Sequence, residues 1–207
     1  MVIGITGGVG CGKSTVLNIL KNGYDARVII ADDIARQLQE PGYGPYRRIV
    51  REFGKGILTA GKGSPIDRKV LADIVFSDTI KRERLNFLVH PAVKKEIKRL
   101  IRQYKRESSD ALIVIEAALL IEAGYRDILD EIWAVTASYR VRLERLALSR
   151  GYSKEKTDSI MATQKSDGEF IKEADYHIDN SGSIDDTRLQ IEKRLGPPPS
   201  GSAFHDS

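Results

Sequence analysis

Residues 7–15 read Gly7-Gly8-Val9-Gly10-Cys11-Gly12-Lys13-Ser14-Thr15 and fill the pattern G-x-x-x-x-G-K-[ST]. Glycines at this spacing let backbone N–H groups converge on phosphate oxygens without interference from a Cβ. Lys13 is placed to reach the β- and γ-phosphates of a nucleoside triphosphate, and the Ser14 hydroxyl is a ligand for Mg²⁺. Gly8, Val9, Gly10, Cys11, Gly12, Lys13, Ser14 and Thr15 are therefore the expected nucleotide cradle. Such a loop works only between a strand and a helix, whose N-terminus adds partial positive charge. Both are written here: an apolar run Val2–Thr6 precedes it, and Val16, Leu17, Ile19 and Leu20 follow at helical spacing. Cys11, the single cysteine, rules out an internal disulfide and reads as a small filler in the loop.

A phosphate cradle needs a second set of groups to say where the phosphoryl group goes. A second apolar run, Val28-Ile29-Ile30-Ala31, ends in Asp32-Asp33-Ile34-Ala35-Arg36. The carboxyl ends of strands in an open parallel sheet face the ligand crevice. A carboxylate there suits the base that orients an attacking alcohol and takes its proton. Asp32 is the expected base, with Asp33 read as the N-cap of a helix starting at Ile34. Arg140, Arg142, Arg145 and Arg150 stand in a second segment, Ser138–Gln164, which reads as a helical hairpin turning at Gly151-Tyr152-Ser153. Preorganised cations stabilise the charge of a transferring phosphoryl group, and a hinged lid excludes water. Glu116, closing the run Leu112-Ile113-Val114-Ile115-Glu116, is either the holder of a Mg²⁺-bound water or a solvent-facing acid at a strand end. There is no Asn-Lys-x-Asp element of a guanine reader and no Leu-Ser-Gly-Gly-Gln element of a transport ATPase.

The elements that must carry these residues follow from periodicity. Val2–Thr6, Arg27–Ala31, Ala111–Glu116, Glu131–Thr136 and Tyr176–Asp179 are short apolar runs, as expected of strands buried on both faces. Helical patterns alternate with them, which predicts an α/β fold: a five-stranded parallel sheet flanked by helices. About 80 residues between the second and third runs exceed what one crossover needs. That stretch, about 40–106, is broken by glycines, looks helical over Asp67–Phe76, and reads as one or two helices over Thr79–Arg106, with Pro91 kinking or restarting it after His90. It is the expected acceptor-binding insertion, and 138–164 the lid, within a single domain 1–195. A tail, 196–207, rich in Pro, Gly and Ser, is expected to be disordered.

The chain has 207 residues, 41% hydrophobic and 30% charged, ample for one core. It has no apolar run long enough to span a bilayer and no secretory segment before the first strand, so a cytoplasmic protein without membrane partners is expected. A net charge of +4 suits a protein that handles polyanions. The basic cluster Lys94–Arg106 has an apolar stripe at Val93, Ile97, Leu100, Ile101 and Tyr104, which reads as a solvated helix face. A nucleic-acid-linked ATPase is an alternative, but only Tyr104 is available there for base stacking.

Beyond the loop, the chain resembles the dephospho-CoA kinase family. The resemblance rests on Gly4–Ser14, Val28–Arg36 with Glu40-Pro41-Gly42, Phe53-Gly54, Asp67-Arg68, Val75-Phe76 and Leu88-Val89-His90-Pro91. It continues through Leu119-Leu120-Ile121-Glu122, Arg145, Gln164, Ala174-Asp175 and Asn180-Ser181-Gly182. It implies a P-loop nucleoside-triphosphate hydrolase fold and transfer of phosphate from ATP, with Mg²⁺, to the ribose 3′-hydroxyl of dephospho-CoA. Lys13, Asp32 and Arg145 would then be catalytic, Asn180 would lie near the adenine of ATP, and Asp32, Arg36, Arg68 and His90 would meet the acceptor. A kinase of a nucleoside or nucleoside monophosphate is the alternative within the same fold. The chain departs from the family pattern at Ile30 (usually Asp), at Ala118 (usually Pro) and at Ser149, which stands where a second lid arginine is usual, with Arg150 next to it.

Overall fold

The computed structural model describes residues 1–117, 120, 121 and 123–199. Ala118, Leu119 and Glu122 of the motifs above, and the tail from Ser200, lie outside them. The chain forms two compact units, one of residues 1–29 together with the chain from Gln103 onward, the other Ile30–Arg102.

The first unit is built on β1 (Val2–Thr6), β3 (Ile113–Glu116), β4 (Glu131–Thr136) and β5 (Tyr176–Asp179), with β2 (Arg27–Ile30) at the edge. The sheet order is β2-β3-β1-β4-β5, and β1 runs parallel to both β3 and β4, as β4 does to β5. Every residue of β1 is buried, and Ile113, Val114, Ile115, Ile132, Trp133, Ala134 and Val135 are buried around it. That explains the unbroken apolar runs, since both faces are covered. The first strand accommodates Gly4 because a Cβ there would sit 2.6 Å from a Leu129 methyl. Helices α1 (Lys13–Gly23), α6 (Tyr139–Arg150), α7 (Lys154–Ala162), α8 (Asp167–Glu173) and α9 (Ile184–Leu195) complete the unit. Ser153 caps α7, and Ser166 and Ser183 head reciprocal capping boxes with Glu169 and Asp186. Asp175 ties β4 to the turn before β5: its carboxylate accepts from the Ile132 N–H at 2.7 Å and pairs with Arg126. The Arg126 guanidinium holds that carboxyl below the usual range.

The second unit comprises α2 (Ala31–Leu38), α3 (Gly44–Phe53), a short 3-10 turn Lys55–Ile57, α4 (Arg68–Phe76) and most of α5 (Thr79–Glu107). Its core is Tyr46, Ile49, Ile57, Ile66, Leu71, Leu88, Val89, Val93 and Ile97. Asp67 lies just outside α4 and caps it, accepting from the Lys69 and Val70 N–H groups.

Two expectations are corrected. The second strand ends at Ile30, and α2 starts at once with Ala31, so Asp33 sits inside the first turn and caps nothing. The third strand starts at Ile113, not Ala111. Of the two readings of Thr79–Arg106 the single helix holds: α5 runs unbroken through Pro91, and His90 is interior to it. The run 93–104 is helical, with Val93, Ile97 and Ile101 buried and Leu100 and Tyr104 half-buried.

Candidate active site

The phosphate loop spans Gly7–Gly12, between β1 and α1. Three of its glycines have left-handed or related backbone, with φ of 146° at Gly7, 75° at Gly10 and 85° at Gly12. Neighbours also crowd them: a Cβ would lie 2.2 Å from the Val135 carbonyl at Gly7 and 2.0 Å from the Asn180 amide nitrogen at Gly12. Gly8 is hemmed in by the Arg142 guanidinium, at 2.5 Å from such a Cβ. Within the loop, Cys11 is fully buried, and burial pushes its thiol pKa up, so it is a packing residue.

The loop's carbonyls are held from several directions. Lys13 Nζ donates to the carbonyls of Gly7 at 2.8 Å and Gly8 at 3.3 Å. Arg142 Nε donates to the Val9 carbonyl at 2.8 Å. Asn180 Nδ2 donates to the Cys11 carbonyl at 2.9 Å, and Arg145 reaches that carbonyl at 3.4 Å and the Asn180 carbonyl at 2.9 Å. Asn180 is itself buried and oriented by the Thr187 hydroxyl, which donates to its side-chain oxygen. By contrast the N–H groups of Gly10, Gly12, Lys13 and Ser14 have no acceptor among the described residues. A row of unpaired N–H donors at the mouth of a helix, with no acid in the first turn of α1, is an anion site. Ser14 stands exposed in that first turn.

Of the four hairpin arginines, two reach the loop and two do not. Arg142 and Arg145, one turn apart on α6, face it. Arg140 pairs with Glu144 on the exposed side, and Arg150 lies over the Tyr152 ring at 5.9 Å. Sequence reasoning did not single out Gln164 and Asp167 as partners of the loop: Gln164 Oε1 accepts from the Val9 N–H at 2.8 Å, and Asp167 pairs with Arg142 at 3.1 Å. The legible signal was the Ser166/Glu169 capping box, which starts a helix just after Gln164 and puts Asp167 in its first turn.

The expected acceptor residues lie in the second unit. Asp32 and Asp33 are exposed in the first turn of α2. Arg36 pairs with Asp33 at 3.4 Å and Arg68 with Glu40 at 2.8 Å, both at the surface. His90 is half-buried, and burial lowers its pKa, so at pH 7 it presents a neutral ring. Glu116 closes β3 opposite Ile5.

A strand, a glycine loop with unpaired N–H groups, a lysine-headed helix and a parallel sheet together define a P-loop kinase fold. The family model for dephospho-CoA kinase matches residues 1–186. A dephospho-CoA kinase of Symbiobacterium thermophilum is 41% identical over 99% of this chain and 87% of its own length. Among solved structures, a Thermus thermophilus protein superposes with a TM-score of 0.75 at 30% identity, over 94% of this chain and 96% of its own. The dephospho-CoA kinase of Campylobacter jejuni superposes with a TM-score of 0.68 at 26% identity, over 94% of each chain. The chain belongs to the dephospho-CoA kinase family.

Proposed function

We infer that this protein transfers the γ-phosphoryl group of ATP to the ribose 3′-hydroxyl of dephospho-CoA, releasing coenzyme A and ADP. The observation that carries the reading is the loop with unpaired N–H groups at Gly10, Gly12, Lys13 and Ser14, in a chain that the family model matches over residues 1–186.

The first unit binds the donor. The loop N–H groups take the β-phosphate region, and Lys13 leaves the Gly7 and Gly8 carbonyls to meet the β- and γ-phosphates. Arg145 adds positive charge beside the loop, and Asn180 lines the same side, toward the base of the nucleotide. The exposed Ser14 hydroxyl suits Mg²⁺, which prefers to keep waters and phosphate oxygens and to take few protein ligands. Among the described residues there is no cluster of His, Cys, Asp and Glu built to hold a metal by itself, in keeping with an ion that arrives with the nucleotide. When bound, the ion neutralises charge on the transferring group.

The second unit carries the acceptor groups. Asp32 orients the 3′-hydroxyl and accepts its proton as the oxygen attacks phosphorus. Arg36 and Arg68 exchange their surface carboxylate partners for the acceptor, and neutral His90 serves as a hydrogen-bonding partner. Residues 138–164 act as the cover that excludes water from the donor. No helix among the described residues is long and apolar enough to cross a membrane, and we place the enzyme in the cytoplasm, with ATP and dephospho-CoA as its partners.

The test is ADP release measured with an acceptor panel: dephospho-CoA, nucleosides, nucleoside monophosphates and nucleic acid. Stimulation by dephospho-CoA above all others is expected. Stimulation by a nucleotide or by nucleic acid, with none by dephospho-CoA, would overturn the assignment.

A further inference from the structure

Val9 sits at the tip of the phosphate loop, and both of its backbone polar groups are held by side chains from the α6–α8 segment. Its N–H donates to Gln164 Oε1 and its carbonyl accepts from Arg142 Nε, each at 2.8 Å. Arg142 is a charged residue with only 6% of its side chain exposed. Its guanidinium bonds the Val9 carbonyl on one side and Asp167 at 3.1 Å on another, and it packs on Gly8. A buried guanidinium with this set of partners is committed to the protein itself.

The consequence follows from the planarity of the peptide. The carbonyl of Val9 and the N–H of Gly10 belong to one trans peptide unit and point in opposite directions. Holding that carbonyl toward α6 therefore aims the Gly10 N–H the other way. The same relation links the Cys11 carbonyl, held by Asn180 and Arg145, to the Gly12 N–H. The two N–H groups aimed in this way, Gly10 and Gly12, are among those with no acceptor among the described residues.

We propose that Arg142 is a positioning residue of the donor site: braced by Asp167 and opposed by Gln164, it fixes the Val9 peptide so that the Gly10 N–H is presented to a nucleotide phosphate before the nucleotide arrives. Arg142 does not touch the transferring phosphoryl group. Arg145, by contrast, is only half-buried. The proposal rests on the donor half of the kinase reading and is independent of which acceptor is used.

A loop that is no longer pre-set must be ordered by the ligand, which lowers affinity while leaving the bound complex competent. The experiment measures Mg²⁺–ADP affinity by calorimetry, together with kcat and KM for ATP, in full-length wild type, Arg142→Ala and Asp167→Asn. Loss of a charge-assisted bond predicts ADP binding weaker by about 10- to 100-fold in Arg142→Ala. Asp167→Asn, which touches neither loop nor ligand, is expected to weaken it roughly 3- to 10-fold, on the order of one weakened hydrogen bond. In both variants KM for ATP rises as ADP affinity falls, and kcat at saturating ATP stays within about threefold, the signature of lost uniform binding. Unchanged ADP affinity with reduced kcat in Arg142→Ala would make Arg142 a phosphoryl-contacting residue and overturn the proposal. If Arg142→Ala does not fold, Asp167→Asn decides: weakened ADP binding supports the brace, and wild-type affinity refutes it. A wild-type protein that binds no ADP would instead sink the kinase reading itself.

Discussion

The arginines of the two units behave differently. In the first unit Arg142 and Arg145 turn inward onto loop carbonyls, and Arg142 is almost wholly buried. In the second unit Arg36 and Arg68 lie at the surface in single ion pairs, with more than half of each side chain exposed. Exposed pairs of this kind are worth about 0–1 kcal/mol and exchange partners readily. Removing one member of a buried, hydrogen-bonded set leaves polar groups without partners, at a cost of about 1–3 kcal/mol or more. The loop is thus braced by the protein itself, whereas the groups proposed for the acceptor are held only by exchangeable surface pairs.

The largest effect that can break this contrast is at Asp32. Asp32→Asn removes the proposed base but nothing from the loop, so turnover should fall about 10²- to 10⁴-fold with ADP affinity unchanged. Turnover at the wild-type rate would remove Asp32 from the chemistry. Next comes Gly12→Ala, whose new Cβ would meet the Asn180 amide at 2.0 Å in a backbone with φ of 85°. The left-handed backbone alone costs about 1–2 kcal/mol, and losing the Asn180 bond adds to it. A drop in thermal stability together with loss of ADP binding is expected, and a variant equal to wild type in both would mean that the loop is not prebuilt. Arg68→Ala should lie at the other end, changing stability by no more than about 1 kcal/mol while raising KM for the acceptor and leaving KM for ATP alone. A raised KM for ATP instead would assign Arg68 to the donor.

The smallest effects concern pH, and they differ between the units in where they start. Burial lowers the pKa of His90, so the unfolded chain binds its proton first. Its contribution is complete above the unfolded value near 6.5 and is lost as pH falls from there through the folded pKa. Asp175, lowered by Arg126, contributes fully above about pH 4, and that contribution is lost only as pH falls through its depressed folded pKa. Chemical denaturation between pH 7.5 and 5 should therefore show a slope that His90→Gln flattens and Asp175→Asn does not. A slope that survives His90→Gln would assign it to another group.

The sequence carried the loop and the central strands plainly, because a phosphate loop is a local pattern and buried strands are continuous apolar runs, while the edge strands β2 and β5, expected to be buried on both faces, are only partly buried. It misplaced the start of α2 because Ile30 occupies the N-cap and no side chain caps that helix, so there was no start signal to read. It left one helix or two open at His90-Pro91; the single helix forms, as packing of Leu88, Val89 and Val93 outweighs the proline. The pairing of Arg142 with Val9 and Asp167 joins positions 133 and 25 residues apart. On a charged helix such an arginine looks like any solvated one, and only the tertiary structure shows it turned inward. Asp175 illustrates the converse: it stands in a family motif, yet it holds Ile132 and Arg126 within the first unit.

The most direct test of the account is phosphorus NMR of the reaction of the enzyme with ATP, Mg²⁺ and dephospho-CoA. It should show ADP and, in equal amount, one new phosphomonoester coupled to the ribose 3′ proton. ADP accompanied only by inorganic phosphate, or a monoester at another position, would contradict it.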